Sequence, residues 1–145
     1  MNILSLFDGI SCGQVALKRA GIKIDKYYAS EIDKYAIQIT QKNFPNTIQL
    51  GDVNKYSEWE LPKIDLLIGG SPCQDLSVSK KDRQGLKGER SKLFYIYVEC
   101  LKNFKPKWFL LENVNSMPKE AKEEITRLLG VEPIMINSAL VSAQQ

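Results

Sequence analysis

Short apolar runs alternate with amphipathic stretches along most of this chain. NILSLF (Asn2 to Phe7) is an apolar run closed by Asp8-Gly9, and GQVALKRAG (Gly13 to Gly21) then places Val15, Leu17 and Ala20 at near-helical spacing, with a glycine at its end. The pair predicts a strand, a glycine-containing turn and a helix. KIDKYYASEI predicts a second strand and DKYAIQITQKNF a helix stopped by Pro45. TIQLGDV is expected to be a short strand, KIDLLIGG a buried strand, KLFYIYVECLKNF an amphipathic helix, KWFLLENV a strand, KEAKEEITRLLG a helix and EPIMINSALVSA a last strand. Strands alternating with helices predict an α/β fold of Rossmann-like, doubly wound type, with a mostly parallel sheet covered on both faces.

In such sheets ligands gather at the carboxyl ends of the strands, where the strand order reverses. The polar residues of interest all fall at those ends: Asp8-Gly9, Glu31, Asp52, Pro72-Cys73 and Glu112-Asn113. Gly9 and Gly13 flank the first strand-to-helix turn, where backbone N–H groups favour anionic or polar ligand atoms. Their spacing does not fit G-x-G-x-x-G, and glycines here also serve simply to let the backbone bend. Glu31 follows Gly9 at about the 20-residue separation at which a carboxylate meets ribose hydroxyls in such folds. Asp52 is placed either to accept from an exocyclic amine or to cap a turn. Together these residues point to an adenosine-containing cofactor, and the missing glycine fingerprint argues against a dinucleotide.

Composition narrows the chemistry. The 145 residues are 43% hydrophobic and 26% charged, as expected of one folded domain, without repeats or low-complexity tracts. Histidine is absent, which excludes Ser-His-Asp and Cys-His arrangements and histidine-based zinc sites, and no metal site is expected. No apolar stretch approaches the roughly 20 residues that cross a bilayer, and no basic segment precedes an apolar one at the N-terminus, so a cytoplasmic protein without membrane contact is expected. The net charge is +3, but Val78 to Lys107 holds nine Lys/Arg against three Asp/Glu, which suits either a solvated surface or a polyanion such as nucleic acid.

Cys12, Cys73 and Cys100 form no C-x-x-C pair. Cys100, inside a helix pattern, reads as core filler. Cys73 differs, because it follows a strand in a proline-containing turn at the expected ligand edge, ahead of a basic stretch that would favour a nucleophilic thiolate. Glu112 is the only acid in an apolar strand, and a buried carboxyl there would serve as proton donor or hydrogen-bond partner to an electrophile.

LSLFDGISCG, ASEIDKYA, GDV, IGGSPCQDLS, GLKGERSKLF, LLENV and INSALVSAQQ occur in the order and approximate spacing of the cytosine-C5 methyltransferases, and the chain resembles that family over essentially its whole length, with wording closest to the de novo type of DNA methyltransferase. The resemblance implies S-adenosyl-L-methionine as cofactor, lying against Phe7, Asp8, Gly9, Ile10, Ser11 and Cys12, with Glu31 on the ribose, Ile32 on the adenine, Asp52 and Val53 at the exocyclic amine, and Pro72 and Leu93 nearby. It implies that Cys73 attacks C6 of a flipped cytosine while Glu112 holds N3. Ser77, Lys80, Lys81, Arg83, Lys87, Arg90 and Ser91 would contact nucleic acid, with DNA as substrate and tRNA as the alternative.

Two departures stand out. Ser11 occupies the family's usual second glycine position, and Gln144-Gln145 fall where the family continues to a pair of arginines and a target recognition region. Residues 1–145 are therefore expected to form one catalytic domain without that region. A truncated enzyme, a split enzyme completed by a second polypeptide, and a non-catalytic partner of a complete methyltransferase are all compatible with this pattern.

Overall fold

The structure, a computed structural model, describes residues 1–71 and 92–140. Five strands form one sheet: β1 (Asn2–Leu6), β2 (Lys26–Ser30), β3 (Ile48–Gln49), β4 (Leu66–Gly70) and β5 (Trp108–Glu112). The order is β3-β2-β1-β4-β5, and every pairing is parallel. The helices are α1 (Cys12–Arg19), α2 (Lys34–Asn43), α3 (Lys92–Phe104) and α4 (Lys119–Leu129), with 3-10 segments at Val53–Glu58 and Ser138–Leu140. This is the expected parallel α/β architecture.

Register fixes which residues share a face, because side chains alternate along each strand. Tyr28, Leu4, Leu67 and Phe109 align across four strands, and Leu6, Gly69 and Leu111 make a second row nearer the carboxyl edge. These rows pack with Tyr97 and Cys100 of α3, Leu129 of α4 and Val53 and Tyr56 of the 3-10 segment. On the other face, Ile3, Tyr27 and Ala29 pack against Leu17 of α1, with Leu66 and Ile68 beside them. The two sides are covered as a parallel sheet requires.

Glycine permits two close approaches. A Cβ on Gly69 would stand 3.0 Å from the Leu6 carbonyl oxygen and 3.2 Å from the Tyr97 ring, so any larger residue there would crowd the strand backbone and the ring. A Cβ on Gly13 would stand 2.6 Å from Ile68 Cδ1 and 2.9 Å from the Tyr27 hydroxyl. Helix α1 thus turns Gly13, Gln14 and Leu17 towards the sheet, while Val15 and Ala20 of the expected stripe are exposed. The apolar period missed this because the inward face is built from a glycine and a polar residue that is buried with partners.

Two further expectations are corrected. The last strand is not formed among the described residues: 131–140 are exposed, with Ile134 85% and Ile136 78% accessible, and only Ser138–Leu140 is regular. Alternation alone does not make a strand, which needs a neighbour to bond, and no paired neighbour lies beyond β5 in the described sheet. Glu112 is exposed rather than buried, because it shares its face of the edge strand with Trp108 and Leu110, both exposed.

Substituting Gly69→Ala is expected to cost about 1–3 kcal/mol, since overpacking against central-strand backbone outweighs the better strand propensity of alanine. A urea midpoint equal to or above that of the parent chain would contradict the close approach. Burial pushes the Cys100 thiol up to about 12, whereas Cys12 is exposed. Brief native-state alkylation near pH 8 is therefore expected to label Cys12 and spare Cys100, as read by peptide mass spectrometry, and labelling of both at equal rates would contradict the packing of α3.

Candidate active site at the carboxyl edge

The strand order reverses between β1 and β4, so the crevice above their carboxyl ends is the place where such a sheet receives ligands. β1 leads into the turn Phe7 to Ser11, and β4 leads through Ser71 to Pro72 and Cys73. Phe7, Gly9 and Ser11 have φ of 57°, 57° and 66°, so alternate residues of the turn are left-handed. Only glycine takes this conformation freely, and each of the other two costs about 1–2 kcal/mol unless its surroundings hold it.

Asp8 supplies the hold. Its Oδ1 accepts from the hydroxyls of Ser5 (2.6 Å) and Tyr27 (2.7 Å), and its Oδ2 accepts from the Ser11 hydroxyl (2.5 Å). Ser11 in turn accepts from Gln14 Nε2 at 2.9 Å, and the same amide donates to Thr47 at 2.8 Å. Burial, and then the charge of Asp8, hold the Tyr27 phenol above its ordinary range, so it remains a donor. The carboxylate of Asp8 and the hydroxyl of Ser11 are therefore turned into the protein; what the turn offers a ligand is its backbone and Ile10, which is 50% exposed.

Glu31 joins this turn to the end of β2. Its Oε2 accepts from Gly9 N at 2.8 Å, and its Oε1 accepts from Ile32 N at 2.8 Å and Asp33 N at 2.9 Å. The spacing noted between Gly9 and Glu31 thus corresponds to a direct contact. Ile32 beside it is 75% exposed, and Asp33 caps α2 through Tyr35 N and Ala36 N. Asp52 caps the 3-10 segment, its Oδ1 accepting from Asn54 N at 2.9 Å and Asn54 Nδ2 at 2.7 Å. Those bonds hold its carboxyl below the usual range. Val53 and Leu93 turn their side chains to the core, so any ligand contact by Val53 uses its backbone.

At the second rim, Asn113 Nδ2 donates to the buried Ser71 hydroxyl at 3.1 Å, tying the residue after β4 to the residue after β5. A Cβ on Gly70 would lie 3.0 Å from Glu112 Oε2. The second glycine of IGGSPC, two residues ahead of Pro72 in the sequence, therefore leaves room for the carboxylate of Glu112. Pro72, Cys73, Ser77, Lys80, Lys81, Arg83, Lys87, Arg90 and Ser91 lie outside the described residues. Tyr27, Ser5, Gln14 and Thr47 went unnoticed in the sequence, since each sits in an ordinary strand, helix or loop pattern and only the fold brings them to Asp8.

The carboxyl edge thus combines exposed apolar side chains, Ile10 and Ile32, with a carboxylate fixed by three backbone donors at a topological switch point. The C-5 cytosine-specific DNA methylase family model matches residues 1–129, and the chain belongs to that family. It is 41% identical over 119 residues to the orphan methyltransferase M.SPRI of Bacillus phage SPR, covering 81% of this chain and 27% of the relative. It is 40% identical over 132 residues to the orphan methyltransferase M.Rho11sI of Bacillus phage rho11s, covering 90% and 26%. It is 38% identical over 127 residues to the type II methyltransferase M.FnuDI of Fusobacterium nucleatum, covering 88% and 36%. The chain therefore spans about a quarter to a third of the length of these relatives. Among the described residues no group of potential metal ligands occurs, and no helix is long and apolar enough to cross a membrane.

Replacing Glu31 by alanine leaves three backbone donors without their acceptor. The expected result is a loss of about 1–3 kcal/mol and faster amide hydrogen exchange at Gly9, Ile32 and Asp33. Unchanged exchange at Gly9 would contradict the bridge between the two strand ends.

Proposed function

We propose that this chain carries the cofactor site and catalytic pair of an enzyme that methylates C5 of cytosine in DNA, with S-adenosyl-L-methionine as methyl donor. The observation that carries the reading is the convergence of Glu31, the Phe7 to Ser11 turn and Glu112 on one sheet edge, immediately before Pro72-Cys73. The residues fit an adenosine moiety: a carboxylate at 31 for hydroxyls, an exposed isoleucine at 32 for a base, and the capping aspartate at 52 after β3. The cofactor supplies an electrophilic methyl group when bound. Asp8 stays inward, and its part is to hold the turn.

Cytosine C5 is too weak a nucleophile to take a methyl group unaided. In the proposed chemistry the Cys73 thiolate adds to C6, and Glu112 holds N3 and supports the proton there as electron density moves to C5. C5 would then take the methyl group that the bound donor supplies, the donor's S–CH3 bond breaking to leave the demethylated thioether; a base such as water would remove the C5 proton, and elimination would restore the C5–C6 double bond and release the Cys73 thiolate. An exposed Glu112 suits this role as well as a buried one, because a flipped base entering the crevice would itself shield the carboxyl from water. The excess of Lys/Arg between Val78 and Lys107 suits the phosphate backbone of that substrate.

The test is transfer of labelled methyl groups from S-adenosyl-L-methionine to DNA and, in parallel, to tRNA. Cys73→Ser is expected to abolish transfer to DNA with cofactor binding nearly unchanged, and Glu112→Gln to lower it by about 10²–10⁴-fold, the range of a positioned acid or base. Gly70→Ala is expected to act on the same step, since its methyl group meets the movable end of Glu112 and not backbone, lowering transfer while leaving the melting temperature nearly in place. Cys73-dependent label on tRNA alone would replace the substrate, and transfer that survives Cys73→Ser would refute the mechanism.

A further inference from the structure

The turn after β1 is held by a group that the proposed chemistry does not use. Asp8 collects hydroxyl donors from three parts of the chain: Ser5 within β1, Ser11 at the start of α1, and Tyr27 in β2. Asp8 N also donates to Ser30 O at 3.2 Å, and the Thr40 hydroxyl donates to Gly9 O at 3.3 Å. The turn is thereby fixed from β1 itself, from β2 and from α2, although two of its residues other than glycine sit in a left-handed conformation that costs them energy. Tyr27 is the most remote in sequence of the three hydroxyl donors to Asp8. Its ring is packed in the sheet core with Ile3 and Leu17, and only its hydroxyl reaches the turn.

We infer that Tyr27 is a positioning residue for the cofactor: acting through Asp8, its hydroxyl holds the left-handed turn in the form that presents exposed Ile10 to the nucleoside, with Gly9 tied inward to Glu31 and Thr40. The inference rests on the proposed cofactor reading, and it assigns Asp8 an internal role in place of direct ligand contact. Gly13 belongs to the same device, since any larger residue there would press on the Tyr27 hydroxyl at 2.9 Å. A turn strained at two residues and satisfied by one carboxylate has alternatives close in energy once a donor is lost. Ligand affinity then falls by the fraction of molecules in the competent form.

The test compares the parent chain, Tyr27→Phe, Ser5→Ala and Ile64→Val, measuring S-adenosyl-L-methionine affinity by calorimetry and the Gly9 amide by NMR. Tyr27→Phe keeps the buried ring and removes only the donor, and Ser5→Ala removes the other donor to the same oxygen. Each is expected to weaken binding by about tenfold, the loss typical of one hydrogen bond to a charged group, and to shift the Gly9 amide resonance. Ile64→Val thins a fully buried core position away from the turn and is expected to lower the melting temperature with no change in affinity. Binding by Tyr27→Phe within twofold of the parent, whatever Ser5→Ala does, would overturn the inference while sparing the cofactor reading. Absence of binding by the parent chain would overturn both.

Discussion

The carboxylate of Asp8 is the point on which the site depends. A parallel sheet buries its strands on both faces, so the chain leaving β1 must turn sharply at the rim and still satisfy every polar group it carries. Three hydroxyl donors on Asp8 and three backbone donors on Glu31 meet that requirement across the β1–β2 side of the rim. Charge-assisted bonds of this kind are the stronger ones, and here they are spent on geometry. The result is a rim whose backbone is presented outward in a fixed form.

The other side of the rim is made by subtraction. Gly69 and Gly70 remove side chains where Tyr97 and Glu112 must come close, and the Ser71–Asn113 bond holds the ends of β4 and β5 together. The glycine pair that closes the strand pattern KIDLLIGG thus makes two specific steric allowances, one towards Tyr97 in the core and one towards Glu112. The proposed chemistry needs both sides, because a methyl donor seated on the β1–β2 rim must meet a base held at the β4–β5 rim.

Much of this was legible in the sequence because periodicity reports burial. The long amphipathic pattern of α3 and the apolar runs of β1, β4 and β5 fall where the pattern placed them, and Gly130 ends α4 in the left-handed conformation a helix terminus favours. The Gly9 to Glu31 spacing corresponded to a contact because the β-turn-α-β unit has a nearly fixed length. What stayed hidden was polar and tertiary. Gln14 is buried in α1, whose expected inward stripe was Val15, Leu17 and Ala20, Tyr27 reads as strand filler, and Glu112 is exposed because β5 is the edge of the described sheet, which no local pattern reveals. The alternating residues 132–140 show the converse, a strand pattern that pairs with no strand among the described residues.

The most direct measurement is an NMR titration of the chain with S-adenosyl-L-methionine, following every backbone amide. The account requires shifts concentrated at Gly9, Ile10, Ile32 and Asn54, on the carboxyl ends of β1, β2 and β3, with α4 unaffected. Shifts centred elsewhere, or none at saturating cofactor, would contradict the claim that this rim is a nucleoside site.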